Sequence, residues 1–347
     1  MYKSKVRSLL KKYCQNTVSY QCLMEGVSYF ESEFWVEGFI PYIKVKKVYF
    51  VGGDPICSPE NMEKLVHEFR IFCRKSRSYC VFISTSLWCK ELLEKMNFGT
   101  LKVWEEALFD VDTFSLEGHD MKANRNFVRR ATKEGVVIKK LEKHEEQIFS
   151  QIENIETQWL KNRKTKEFSF LLKLDVLDDF ENKLIFVAVH QEKIVACLSC
   201  VPIYAKNGWY LEDMIYLKNS LPVWTTQLLV FETLEYLKKN GFQMASFWTS
   251  PLIWLEKEKR SKFWKTQAFQ TFCYRHLNTF YNFKWLYSFK KSLYPTSWEN
   301  KYYCFFPPRF TLKLFLLTIK LYYPKGVSGV IFSRAQKLFF KKRLWKR

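Results

Sequence analysis

Strands and helices alternate along most of this sequence, and that alternation restricts the possible folds more than any other feature. In the first half, apolar and β-branched runs predict strands at residues 42–51 and 79–85. Each run precedes a segment with helical periodicity, at residues 59–74 and 87–96. Strands that alternate with helices favour layered folds of both elements over all-α or all-β folds. The sequence therefore predicts an α/β (α+β) architecture.

The second half continues the alternation. A helix predicted for residues 117–134 ends at Gly135, and the helix predicted for residues 225–239 ends at Asn240-Gly241. The other predicted elements are a helix at 144–160 and strands at 184–189, 194–201, 209–217 and 243–249. Strand–helix–strand order thus occurs in both halves, without a repeat of the sequence itself.

Length and composition indicate a folded protein of about two domains. A chain of 347 residues suggests two domains at roughly 150 residues each. Hydrophobic residues make up 48% of the chain and aromatic residues 18%. Disordered chains have few aromatic residues and low hydrophobicity, so disorder is excluded.

Positive charge is concentrated near the C-terminal end of the sequence. The net charge is +21, and residues 257–347 hold 21 lysines and arginines but only two acidic residues. Charge of one sign attracts phosphate-rich partners such as nucleic acid or an anionic membrane. A run of about 20 apolar residues is needed to span a bilayer. The nearest run, residues 310–323, is shorter and contains two lysines.

Cysteine usage favours reduced thiols in a cytoplasmic protein. Ten cysteines are present, but no secretory leader precedes them. Cys197 and Cys200 form a single Cys-x-x-Cys pair, whereas a structural zinc ion needs four ligands. We therefore expect these two cysteines to pack as small apolar residues, and we expect no metal site.

The helix predicted for residues 117–134 has a basic face. Its bases recur at spacings of three and four, which places four of them within about 80° of one another and a fifth at the border. These residues are Lys122, Arg125, Arg129 and Lys133, with Arg130 at the border. A basic stripe on one side of a helix suits a nucleic-acid backbone. The alternative is an ordinary solvated helix face.

The order of elements in the second half is typical of N-acetyltransferase-like folds. In acyl-CoA-dependent members, a glycine-rich loop before the long helix binds the pyrophosphate through backbone N–H groups. The corresponding loop, residues 219–225, contains no glycine, and Pro222 removes one donor. The sequence therefore argues against an acyl-CoA cofactor, although an acyl-CoA N-acetyltransferase remains a third enzymatic alternative.

Four stretches, taken together and in order, resemble the C-terminal catalytic domain of bacterial phosphatidylglycerol lysyltransferases, the aminoacyl-phosphatidylglycerol synthases. The resemblance covers roughly residues 20–305, and the order and spacing of the stretches carry it. The stretches are Val51-Gly52-Gly53-Asp54-Pro55; Phe114 to Gly118 with Arg125, Arg129, Arg130 and Gly135; Asp213-Met214 with Pro222 and Ser250-Pro251-Leu252; and Phe289-Lys290-Lys291 with Pro295, Trp298 and Tyr302.

The resemblance implies a domain plan and an activity. Two tandem N-acetyltransferase-like domains, at residues 1–115 and 137–308, would be joined by the basic helix at 116–136 and followed by a tail at 309–347. The activity would be transfer of an aminoacyl group from aminoacyl-tRNA to an anionic phospholipid such as phosphatidylglycerol, without a cofactor. The tRNA would approach the basic helix, and DNA is not an expected partner.

The chemistry needs few groups, because an aminoacyl-tRNA is already an activated ester. The enzyme must position the two substrates and stabilise an oxyanion, and a carboxylate can take the acceptor's proton or bind the α-ammonium. Asp213, at the end of a predicted strand, is the first candidate and Glu212 the second. Lys290 and Lys291 are candidates for binding a phosphate of tRNA or lipid.

Several positions depart from the family pattern. Trp224 and Trp248 lie near positions where the family usually has glycine, and Ile215-Tyr216 replaces an expected arginine. These departures bear on the amino acid used and on catalysis. A Fem-type aminoacyltransferase acting on a peptidoglycan precursor therefore stays open, as does a catalytically degenerate module that binds tRNA or membrane.

The segment 309–347 is predicted to be a basic amphipathic tail. Residues 310–323 are mostly apolar with Lys313 and Lys320 on one stripe, and residues 327–347 end in a basic run that contains a tryptophan. Basic residues beside aromatic ones suit a helix in an anionic membrane interface. The protein is therefore predicted to be cytoplasmic and peripheral on the inner face of the cell membrane. Packing of residues 310–323 on the second domain is the alternative.

Overall fold

The computed structural model describes residues 2–34, 36–162, 170–174, 176–251 and 283–322, and it contains two compact units. Both units are assembled from separate stretches of the chain. The described residues of unit 1 fall within Met1–Tyr20, Lys102–Arg163 and Asp175–Lys301. Those of unit 2 fall within Gln21–Leu101, Lys164–Leu174 and Tyr302–Arg347.

Helices and strands alternate as the sequence predicts. The described helices are α1 Tyr2–Tyr13, α2 Pro59–Lys75, α3 Leu87–Lys95, α4 Lys122–Lys133, α5 Glu146–Asn162, α6 Thr225–Lys239, α7 Phe283–Ser292 and α8 Leu312–Tyr322. The described strands are β1 Ser28–Glu31, β2 Gly38–Val45, β3 Val48–Gly52, β4 Ile56–Cys57, β5 Tyr79–Thr85, β6 Gly99–Asp110, β7 Val137–Lys140, β8 Leu184–His190, β9 Lys193–Ile203, β10 Gly208–Tyr216, β11 Met244–Pro251 and β12 Ser297–Phe306.

A mixed sheet forms the centre of unit 1. Its strands lie in the order β6-β11-β10-β9-β8-β7. Strands β10 and β11 are parallel, and the other neighbouring pairs are antiparallel. Helix α6 connects the parallel pair, because parallel neighbours need a long crossover. The unit therefore has a mixed α/β fold.

Helices α4, α6 and α7 pack on one face of this sheet, which we call the core face. Alternate strand residues supply its apolar side chains, as the two-residue period of a strand requires. They include Ala107, Phe109, Leu198, Leu211, Met214, Ala245 and Phe247, packed with Met121, Ala131, Leu228, Phe231, Phe289 and Leu293 of the helices. Helix α5 packs against β9 and β10. Its buried Ile152 and Ile155 lie outside this cluster, so α5 covers the opposite face.

Unit 2 is also built around paired strands. Strands lie in the order β1-β2-β3-β5-β12, with β4 paired to β2. Strands β3 and β5 are parallel and are connected by α2, and the other pairs are antiparallel. The apolar stripe of α2 is buried through Leu65, Phe69 and Cys73, against Cys80 and Phe82 of β5.

Two sequence predictions of local structure were wrong. Residues 42–51 form a hairpin of β2 and β3 rather than one strand, and the chain turns at Lys46, which has φ 53°. The helix predicted for residues 117–134 begins only at Lys122, because Gly118 has φ 87° and the residues after it form a turn. The predicted strand at Tyr79–Thr85 and the predicted helix at Thr225–Lys239 are confirmed.

The N-terminal segment of unit 1 is held by a carboxylate. Asp179 accepts hydrogen bonds from Arg7 Nη2 at 2.6 Å, from the Tyr20 hydroxyl, and from Asn182 Nδ2 at 2.9 Å. Asp179 has φ 58°, a left-handed conformation that aspartate tolerates better than most residues. Helix α1 is thereby tied to the segment that leads into β8.

The predicted C-terminal tail is described in part. Residues 312–322 form α8, whereas residues 323–347, which include the predicted basic end, lie outside the described residues. Within the described ranges, no helix is long and apolar enough to cross a bilayer.

Candidate active site

A bulge in β10 places two carboxylates on the second face of the unit 1 sheet, which we call the polar face. In the pairing of β10 with β9, Leu211 faces Cys200 and Asp213 faces Ser199, so Glu212 is an additional residue. Leu211 and Met214 both belong to the core face, although they are three residues apart. A bulge permits this spacing, and it leaves Glu212 and Asp213 on the polar side.

Glu212 and Asp213 are both partly exposed, and each has a polar neighbour. Lys183 Nζ lies 3.6 Å from Glu212 Oε2, and both side chains are largely buried. Ser199 lies opposite Asp213 on β9, and its hydroxyl is buried without a hydrogen-bond partner among the described residues. Neither Lys183 nor Ser199 was predicted from the sequence. Ser199 follows Cys197 by two residues, so strand alternation alone places both on one face.

A third carboxylate, Glu106, lies deeper on the polar face and is 0% exposed. It accepts hydrogen bonds from Thr17 Oγ1 at 3.1 Å and from the Ser246 hydroxyl. Lys301 Nζ lies 3.0 Å from its Oε2 and 3.2 Å from Glu299 Oε1. A buried carboxylate needs such partners, because an unpaired buried charge is strongly destabilising. Glu106 therefore supports the strands of this face and is closed to substrate.

The carboxylates act on the buried hydroxyl and thiol groups beside them. Burial raises the pKa of the Tyr210 hydroxyl, and the charges of Glu106, Glu212 and Asp213 raise it further. Burial also raises the pKa of the Cys197 thiol, and Asp213 adds to that effect. A site with these neighbouring carboxylates, one of them partly exposed, is suited to bind an ammonium group or to accept a proton.

The predicted basic face of α4 lies on the surface of unit 1. All five bases are exposed, and the described part of the chain provides no ion pair to any of them. They occupy the side of the helix opposite the buried Asn124 and Ala131. Asn124 Nδ2 donates to the carbonyl of Ser292 at 2.9 Å, which links α4 to the end of α7.

Arg125 differs from the other four bases. Its Nη1 donates to the carbonyl of Leu116 at 2.5 Å and to that of Gly118 at 2.7 Å. The guanidinium therefore fixes the loop that precedes α4, and fewer of its donors remain for an external phosphate. The remaining bases of the predicted stripe are Lys122, Arg129, Arg130 and Lys133.

The structure does not bring the basic helix and the carboxylates together. Helix α4 covers the core face, whereas Glu212 and Asp213 lie on the polar face. The sheet and a helix about 10 Å across lie between the two sets of side chains. One substrate would have to be long enough to contact both.

Lys290 and Lys291, predicted together, lie in different environments. Lys290 is 0% exposed, and its Nζ lies 5.9 Å from the centre of the Phe247 ring. Burial holds the pKa of Lys290 well below its usual range, and Glu106 opposes that shift. Lys291 is exposed at the end of α7. Only Lys291 is open to a phosphate at the surface.

Trp224 fills the position before α6. It has φ 71°, and its ring stacks on Phe127 of α4 with centroids 3.9 Å apart. A large side chain in this left-handed conformation is strained, and the stacking opposes the strain. The loop before α6 is therefore closed by an aromatic pair. The side chain of Trp248 lies outside the described residues.

Comparison with known proteins decides the family. The sequence model described as "Phosphatidylglycerol lysyltransferase, C-terminal" matches residues 7–305. The chain belongs to this family. The phosphatidylglycerol lysyltransferase of Staphylococcus epidermidis is 22% identical over 305 residues, which cover 85% of the chain and 34% of that relative. The chain therefore spans about a third of the length of the phosphatidylglycerol lysyltransferases it matches.

Solved structures share the fold of this phosphatidylglycerol lysyltransferase C-terminal family member. The structure of L-PGS from Bacillus licheniformis has a TM-score of 0.77 at 21% identity and covers 92% of the chain, with 96% of that structure covered. The C-terminal domain of a putative lysylphosphatidylglycerol synthetase from Agrobacterium fabrum has a TM-score of 0.79 at 19% identity, with coverages of 93% and 98%. At these identities the likeness establishes the fold alone.

Proposed function

We propose that this protein transfers an aminoacyl group from aminoacyl-tRNA to an anionic phospholipid such as phosphatidylglycerol. The observation that carries the proposal is the pair of carboxylates on the bulge of β10, the partly exposed Asp213 and the largely buried Glu212, in a member of the phosphatidylglycerol lysyltransferase C-terminal family. Two tandem N-acetyltransferase-like domains at residues 1–115 and 137–308, joined by the segment 116–136, are part of the proposal, as is a peripheral location on the inner face of the cell membrane.

Asp213 is proposed as the base. The lipid hydroxyl oxygen attacks the ester carbonyl carbon of the aminoacyl-tRNA, and its proton passes to the Asp213 carboxylate. The tetrahedral intermediate then collapses, and the bond from the carbonyl carbon to the tRNA ribose oxygen breaks. That oxygen receives the proton from Asp213. A positioned carboxylate of this kind contributes about 10²–10⁴-fold to the rate.

Glu212 is proposed to bind the α-ammonium of the aminoacyl group. Its carboxylate is held by Lys183 at 3.6 Å, which orients it without neutralising the whole polar face. Ser199 lies opposite Asp213 on β9 and is itself buried, so it is proposed to shape the site beneath Asp213 and not to touch the substrate. Together these groups would place the ester carbonyl beside Asp213.

The basic face of α4 is proposed to bind the tRNA. Because it lies on the core-face side of the sheet, it would hold the body of the tRNA, and the aminoacylated end would extend to the polar face. Lys122, Arg129, Arg130 and Lys133 are the contacts proposed for the backbone, with Arg125 positioning the loop before them. Lys291 is a further proposed phosphate contact.

The test follows label from tRNA into lipid. Purified protein is incubated with radiolabelled aminoacyl-tRNAs and phosphatidylglycerol vesicles, and label in the organic phase is counted. We expect transfer, and we expect Asp213→Asn to reduce it at least about 100-fold. Asp112→Asn, at an exposed position of the same unit, is the matched control and should transfer like the parent protein. Absence of label from the parent protein would contradict the lipid acceptor, and peptidoglycan precursors would be tried next.

A further inference from the structure

Helix α8 buries one face against unit 2. Leu314, Leu317 and Leu321 are almost fully buried. The hydroxyls of Thr318 and Tyr303 lie 2.7 Å apart, which fixes the helix to β12. This face holds α8 firmly in the unit, so the orientation of the opposite face is determined as well.

The opposite face of α8 is also apolar, and it is open to solvent. Leu312 is 64% exposed and Leu316 is 43% exposed. Ile319 is partly exposed and lies seven residues after Leu312, so the three side chains form one row along the helix. At 100° per residue, this row lies roughly opposite the buried leucines. We call these three residues the α8 apolar row.

Positive charge flanks the row. Lys313 and Lys320 are exposed and lie on the same side of the helix, about 80–100° from Leu312. Arg309 is exposed just before the helix, and residues 309–322 contain no acidic residue. A lysine beside an apolar row can bury its aliphatic part and keep its ammonium at the lipid headgroups. Single exposed leucines are common, but an apolar row flanked by bases and by no acidic residue suits an anionic interface.

We infer that α8 lies in the surface of an acidic phospholipid bilayer, with the α8 apolar row inserted among the acyl chains and Lys313 and Lys320 at the headgroup phosphates. The inference deepens the proposed function, since it rests on an anionic phospholipid being the acceptor. The lysines oppose a second copy of this chain on the same face, because like charges would then approach one another. A bilayer provides acyl chains that contact the α8 apolar row and headgroup phosphates that contact the lysines.

The experiment is flotation of the full chain with vesicles, in the absence of tRNA. Vesicles of phosphatidylcholine with phosphatidylglycerol are compared with vesicles of phosphatidylcholine alone. We expect binding to the acidic vesicles and at least about a tenfold loss of partitioning for Leu312→Ser/Leu316→Ser, because two exposed leucines leave the membrane. Ile71→Ser, which changes another exposed apolar residue of unit 2, is the matched control and should bind normally. Lys313→Gln/Lys320→Gln should weaken binding to acidic vesicles only.

Three results would overturn the inference. The first is normal flotation of Leu312→Ser/Leu316→Ser. The second is a complete loss of binding in Leu344→Ser/Trp345→Ser while Leu312→Ser/Leu316→Ser loses no binding, which would assign docking to the tail. The third is a dimer of the parent protein that the leucine variant abolishes. Transfer to phosphatidylglycerol in detergent micelles is measured in parallel. Transfer that persists in micelles while flotation fails rejects the docking surface and leaves the proposed function intact.

Discussion

Replacing Lys301 by methionine is expected to destabilise the protein by about 3–5 kcal/mol, the cost of leaving a buried charge without its partner. Lys301 is 1% exposed and pairs with Glu106, which is 0% exposed. After the substitution, the hydrogen-bond donors that remain to the Glu106 carboxylate among the described residues are the neutral hydroxyls of Thr17 and Ser246. Methionine is close to lysine in length, so the loss of packing should be small. Loss of the ion pair with the partly exposed Glu299 should add little to this destabilisation, because exposed ion pairs contribute little to stability.

The assay is urea denaturation at neutral pH, followed by tryptophan fluorescence and circular dichroism. A second variant, Glu106→Gln/Lys301→Met, removes the charge as well as its partner and should recover at least about 2 kcal/mol relative to the sum of the single changes. Lys239→Met, at an exposed position of unit 1, is the matched control. A loss below about 1 kcal/mol for Lys301→Met, with no coupling in the double variant, would refute the argument that the ammonium holds the carboxylate in place.

Three further predictions concern unit 1. Trp224→Gly should be more stable in urea than Trp224→Ala by about 1 kcal/mol, since both lose the ring stack but only glycine relieves the positive φ; equal stability would refute this. Burial opposes the charge of Asp179, but its hydrogen bonds outweigh burial and hold its pKa below the usual value, so its stabilisation is present above about pH 4 and is lost on acidification. The difference in urea midpoint between the parent protein and Asp179→Asn should therefore be largest at pH 6 and shrink below about pH 4. A difference in midpoint that does not change with pH would contradict this stabilisation by the Asp179 carboxylate. Neutralising Lys122, Arg129, Arg130 and Lys133 of α4 should lower tRNA affinity and its salt dependence in a filter-binding titration. Arg125→Gln should mainly lower the thermal midpoint of unfolding, and the reverse pattern would count against the proposed division between tRNA-binding bases and a loop-positioning arginine.

Local sequence signals predicted the elements with strong periodicity. Helix α6 has a long apolar pattern and ends at Asn240-Gly241, so its limits follow from the sequence. The turn at Lys46 was missed because lysine is not a residue that marks turns, and the strand formers Val45 and Val48 lie on either side of it. The first turn of the helix predicted from residue 117 failed because Gly118 adopts a positive φ.

The candidate site was predictable only in part. Asp213 and Glu212 were found because they follow the apolar residues of a strand. Their joint position on the polar face was not predictable, because a bulge depends on the register with β9. The same limit applies to Glu106 and Lys301, which are distant in sequence and meet only in the folded unit. The five bases of α4 were recognised from spacing alone, whereas the loop contacts of Arg125 required the folded backbone.

The last described strand has a consequence for how the chain is made. Residues 297–301 of β12 belong to unit 1, and residues 302–306 belong to unit 2. A ribosome releases the chain from its N-terminus, and tandem domains usually fold one after the other during synthesis. Here unit 1 needs residues 297–301 and unit 2 needs residues 302–306, so both units wait for parts of the same strand late in the sequence. A chain that stops short of this strand would expose open sheet edges, which are sites of aggregation.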